Sequence, residues 1–155
     1  MKFTLIIVFI TLLSIKTGLV SKESNMNNID VFYKQLEPSQ RALQKVKKVL
    51  ACYETTYQIS YYDILDKANH DIILSYGLPS EHFPIAVVIG GKYSAKIEDR
   101  IVSFVHFPDF MKGIGRHEGN WSLDDLKAVL EDNSLLLKDN ILPEIVDDDD
   151  HDKEN

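Results

Sequence analysis

Few residues of this chain have types and spacings suited to chemistry. The sequence holds one cysteine, Cys52. A single thiol excludes an intramolecular disulfide framework, a Cys-rich zinc site and a Cys-x-x-Cys redox pair. It leaves two roles for Cys52: a reactive or intermolecularly paired thiol, or a small buried hydrophobe. We read it as the buried hydrophobe, because no nearby motif supplies an activating base.

Histidine and aspartate form the next group. His106, Asp109 and His117 fall in one irregular stretch, with His82 as a more distant companion. Imidazole and carboxylate donors suit zinc or copper. The spacing fits no metal signature, and His106 at a strand end reads as hydrogen-bonded structure. Gly113-x-Gly115 with Arg116 and His117 has the look of an anion loop. A dinucleotide fingerprint needs a strand just before it and a helix directly on it, and the helix here starts only at Ser122. We read these glycines as a loop that needs positive φ. Trp121 reads as packing for the last helix. Asp147–Asp150 with His151 and Asp152 offers weak calcium binding, without the glycine and spaced glutamate of a calcium loop. No Gly-x-Ser-x-Gly, His-Glu-x-x-His or Walker pattern occurs.

Composition and charge bound the remaining classes. The chain has 155 residues, 45% hydrophobic and 26% charged, which is ordinary for one globular domain. Its net charge is −7, much of it in the tail Asp147–Asn155, which carries six acids and one lysine. An acidic domain with an acidic tail argues against nucleic acid as partner. Lys45, Lys47 and Lys48 read as the solvated face of a helix.

The N-terminus reads as an address. Lys2 precedes thirteen uncharged residues, Phe3–Ile15, and Lys16 ends the run. That fits a signal-peptide core and is short of the about 20 apolar residues of a spanning helix. We expect residues 1–21 to be a signal peptide, 22–28 a linker, 29–146 the domain and 147–155 a disordered acidic tail. The protein is then secreted, periplasmic or in the lumen of the secretory pathway. Stable membrane insertion is expected only if the leader stays uncleaved. The ending HDKEN resembles a lumenal retention signal without its final leucine.

Periodicity places the elements that must position these residues. Ile29–Lys34 is β-prone, and Glu37-Pro38-Ser39 breaks it. Leu43, Val46, Leu50 and Tyr53 predict a helix from Ser39 to Glu54. Tyr57–Ile64 reads as a strand. Asp66 is placed to cap a helix through Ile72 and Ile73 that stops at Gly77. Ile85–Ile89 reads as a strand buried on both faces. Gly90-Gly91 predicts a hairpin that brings Tyr93–Ile97 back onto it. Ile101–Phe107 is a further strand. Ser122 and Asp125 predict a capping box, with Leu123, Leu126, Val129 and Leu130 buried and Leu135–Leu137 covering the core edge.

The order β-α-β-α-β-β-β-α resembles the thioredoxin-like superfamily. IDVFYKQLEPSQRALQKVKKVL is similar to its first strand, active-site turn and following helix. FPIAVVIGG resembles the segment with its cis-proline, a role that falls on Pro84, and GNWSLDDLKAVL the entry to its closing helix. The resemblance implies an α/β fold with a central mixed sheet of about five strands flanked by helices. It implies no redox cycle, because Glu37-Pro38-Ser39-Gln40 stands where the family carries Cys-x-x-Cys, and disulfide exchange needs thiolates.

The expectation is a redox-inactive protein- or peptide-binding module without a cofactor. Phe83 and Pro84 with Glu37–Gln40 either frame a shallow peptide surface that adds a partner strand, or are relics of the fold. The rivals are a one-thiol oxidoreductase using Cys52 and a metal- or calcium-binding lumenal protein.

Overall fold

The computed structural model describes residues 26–79, 83–114 and 117–143. The leader, His82, Gly115, Arg116 and the acidic tail lie outside the described residues. No helix among the described residues is long and apolar enough to cross a membrane.

The fold is mixed α/β. Strand β1 (Asn28–Tyr33) lies between β2 (Gln58–Asp63) and β3 (Ile85–Ile89). β2 runs parallel to it, in register from Asn28 opposite Gln58 to Tyr33 opposite Asp63. β3 runs antiparallel, from Ile29 opposite Ile89 to Tyr33 opposite Ile85. Parallel neighbours need a crossover, and α1 (Ser39–Leu50) supplies it.

The central position of β1 explains its sequence. Ile29 and Val31 enter one core with Leu43, Val46 and Leu50 of α1. Phe32, on the opposite face, joins Ile73, Phe83, Ala86 and Val88 in a second core. β3 alternates in the same way and is buried at every position. Covering two faces leaves no solvent side, so the apolar run is unbroken. Each large side chain so buried contributes about 1.5–3 kcal/mol.

Three boundaries differ from expectation. The linker ends earlier: Asn28 opens β1, and the Asn27 carbonyl accepts from Gln58 N at 2.8 Å. α1 tightens after Leu50 into a 3₁₀ turn, Ala51–Tyr53. The helix after Asp66 begins as a 3₁₀ turn, where the Asp66 carboxylate accepts from Ala68 N at 3.0 Å, and only His70–Ser75 is α2. Gly77, at φ 69°, follows its end.

The five strands do not form one continuous central sheet. β4 (Ser94–Ile97) pairs with β5 (Arg100–Ser103) in a separate two-stranded sheet. After Gly90-Gly91 the return onto β3 is one bridge, Ile89 opposite Lys92. The chain beyond β5 takes the place expected for β4: Val87 N donates to Phe104 O at 2.8 Å, and Ala86 bridges Val105. The strand predicted through Phe107 ends at Ser103, and His106 takes φ 69°, which no strand accommodates.

α3 (Leu123–Glu131) carries the predicted capping box, Ser122 with Asp125, and its buried residues include Leu126, Val129 and Leu130. Trp121 is fully buried, edge-on to Phe104 at 5.5 Å. Leu135 and Leu136 pack on the core edge, and Asn140 pins the following segment by bonds to Tyr93 N and Gly91 O.

Candidate functional site

The turn between β1 and α1 builds one wall of a groove of about 210 Å³, from Lys34, Leu36, Glu37, Pro38 and Ser39. Local bonds hold the turn. Gln40 N donates to Leu36 O at 3.1 Å, and the Gln40 amide nitrogen donates to the Gln35 side chain at 3.1 Å. The Glu37–Arg41 pair at 3.1 Å is exposed on both sides and adds at most about 1 kcal/mol.

Pro84 lines the groove opposite this turn. Its carbonyl accepts from Lys34 N at 3.1 Å, which ties the start of β3 to the end of β1. Phe107, Ile114 and His117 form the far wall. Phe107 N donates to His117 O and Gly119 N to Phe107 O, each at 2.7 Å. Leu36 and Ile114 are exposed apolar groups at the mouth.

The structure therefore brings Glu37, Pro38 and Ser39 together with Pro84, residues far apart in sequence. Gln40 turns back to brace the turn and does not line the groove. Phe83 is fully buried in the second core, so its side chain frames no surface. The cis peptide bond among the described residues is Glu37–Pro38, not the bond before Pro84. Strand addition at Pro84 meets an obstacle as well. Proline has no N–H to donate, and its carbonyl is already engaged by Lys34.

The histidine group separates in the fold. The His106 and His117 rings stack, with centroids 6.1 Å apart and planes 13° from parallel. Asp109 leaves them: its carboxylate pairs with Lys112 at 3.4 Å and its N–H donates to Trp121 O at 2.7 Å. Among the described residues no group of three or more His, Cys, Asp or Glu is placed to hold a metal ion. His106 is 3% exposed. Burial, then the neighbouring His117, lowers its pKa from 6.5 to about 4, so it is neutral near pH 7. Its carbonyl accepts from the Trp121 indole at 3.2 Å, while its Nδ1 has no hydrogen-bond partner among the described residues.

One further expectation changes. Cys52 is exposed, not buried. Leu50 is the last inward residue of α1, and two positions later the backbone has turned roughly 200°. Gly113 takes φ 85°, the positive φ expected of this loop, and donates its N–H to the Glu118 carboxylate. Lys34, Phe107 and Ile114 had no motif to mark them. Only the fold puts them beside Pro38.

No family model and no curated protein matches this chain.

Proposed function

We propose that this chain is an exported, non-catalytic protein- or peptide-binding module on a thioredoxin-like frame, with the groove of Leu36, Pro38, Pro84, Ile114 and His117 as its reading surface. One observation carries the proposal. The turn that resembles the family's active-site turn meets Pro84 across an open groove with an apolar mouth, and no thiol lines it. The chain's one cysteine lies beyond the other end of the 12-residue α1, about 18 Å along the helix axis.

Other features support the frame. A strand, a helix and a parallel strand are followed by an antiparallel one, in the order β2-β1-β3, and a capped helix closes the domain. The uncharged run Phe3–Ile15 supports export. The groove favours recognition by side chains over strand addition, because Pro84 offers no donor.

A second reading is a one-thiol oxidoreductase, which the exposure of Cys52 favours. One experiment separates the two. A random peptide library is selected on the full chain and on the Leu36→Asp/Ile114→Asp variant. Peptides that bind the parent at least about tenfold more tightly, equally well after Cys52→Ser, support the groove. Equal binding to parent and variant overturns it. A thiol-transfer activity that disappears in Cys52→Ser establishes the oxidoreductase.

A further inference from the structure

We propose that the trough between the C-terminal half of α1 and the start of α3 docks an acidic, amphipathic peptide segment of a partner protein, an apolar anchor set between carboxylates. The trough is separate from the groove at Pro84, and the proposal stands whether or not that groove binds anything.

Its floor is apolar, formed by Val49 and Tyr53 from the α1 side and Leu123 from α3. Its rim is cationic, with Lys45 and Lys48 on one side and Lys127 on the other. No acid among the described residues lines it, in a chain of net charge −7. The nearby acids are engaged by residues of the trough itself. Asp124 pairs with Lys127 at 2.8 Å, and Glu131 accepts from the Tyr53 hydroxyl at 3.3 Å. Lys45 and Lys48 are exposed and have no ion pair among the described residues.

Shape and charge together select the occupant. The trough holds about 240 Å³ and is open to solvent. Sites that enclose a small molecule typically hold about 300–1,000 Å³ and bury most of the ligand. This one has room for one or two large side chains carried on a backbone that stays outside. Lys45 and Lys48 on the α1 rim pair with carboxylates flanking such an anchor, and they repel a basic segment.

Cys52 lines the same trough and reports on it. The test uses the full chain with fluorescein-labelled EELFEE, and EESSEE and KKLFKK as controls. Anisotropy and the rate of Cys52 alkylation by neutral iodoacetamide are read together. Saturable binding of EELFEE alone is expected, with alkylation slowed about tenfold at saturation. Lys45→Glu with Lys48→Glu lowers the affinity at least about tenfold, with thermal melting unchanged because both side chains are exposed. Failure of EELFEE to bind, binding without protection of Cys52, or indifference to the charge reversal overturns the proposal. Protection of Cys52 by dodecanoate but not by EELFEE overturns it too, and assigns the trough to a free amphiphilic acid. Faster alkylation of the chain alone in about 1 M NaCl also overturns it, because an acidic segment of the same chain then already covers the trough.

Discussion

Asp125 accepts the Arg100 guanidinium at 2.8 Å with one carboxylate oxygen, and with the other it closes the cap on Ser122 N at 2.8 Å. One buried side chain thus starts α3 and ties it to β5. Its partners are unequal. Arg100 is half exposed, so its ion pair is screened, whereas the cap satisfies backbone donors at a helix start. Asp125→Ala is expected to cost about 1–3 kcal/mol, and Arg100→Ala at most about 1 kcal/mol. Urea denaturation of the two variants checks the order. Equal losses would show that the ion pair, not the cap, dominates.

His106 predicts a pH dependence with a definite sign. Its pKa is lowered from 6.5 to about 4 on folding. Between those values the unfolded chain takes up a proton that the native chain refuses. Stability from this group is therefore fully present above about pH 6.5, falls as pH drops towards 4, and levels off below. The loss is at most about 3 kcal/mol. His106→Asn removes the titrating group and tolerates the φ of 69°. Parent and variant stabilities at pH 7, 5.5 and 4 are compared, and the gap between them is expected to change steadily across that range. A constant gap would rule out His106 as the titrating group.

Two glycines separate space from conformation. A Cβ on Gly119 would stand 2.6 Å from Val105 O and 2.8 Å from Phe107 O, both backbone atoms. A Cβ on Gly113 meets nothing within 4 Å among the described residues, but its φ is 85°. Gly119→Ala must move the segment that forms the groove wall, and is expected to cost about 2 kcal/mol or more. Gly113→Ala meets only the left-handed penalty, about 1 kcal/mol. Thermal melting of the two variants tests the ranking. A Gly119→Ala protein as stable as the parent would show that Phe107 and Val105 shift freely.

Cys52 is exposed, so Cys52→Ser is expected to change stability by less than about 0.5 kcal/mol. The native protein should also react completely with iodoacetamide, without denaturant. Mass spectrometry of the intact chain reads this directly. A thiol that reacts only in urea would restore the buried reading.

Local signals in the sequence were sufficient where neighbours in the chain decide the outcome. Ser122 and Asp125 are three residues apart, and their reciprocal cap forms within one helical turn. The stripe Leu43, Val46 and Leu50 and the run Ile85–Ile89 mark buried faces, because the 3.6-residue period and the two-sided burial are properties of single elements. The capping role of Asp66 and the stop at Gly77 were equally local.

The partners of those elements were decided only in three dimensions. Gly90-Gly91 marks a reversal, but it does not say whether β4 or the chain near Phe104 fills the space beside Val87. The register of the core settled that in favour of Phe104. Cys52 sits one residue from a half-buried tyrosine, and the turn of the chain after Leu50, tightened to 3₁₀, leaves it at the surface. The groove follows the same rule. Pro38 and Pro84 stand out in the sequence as separate chain breaks, whereas Lys34 joins them through its N–H bond to the Pro84 carbonyl and Phe107, Ile114 and His117 through a path of the chain that no short window of residues contains.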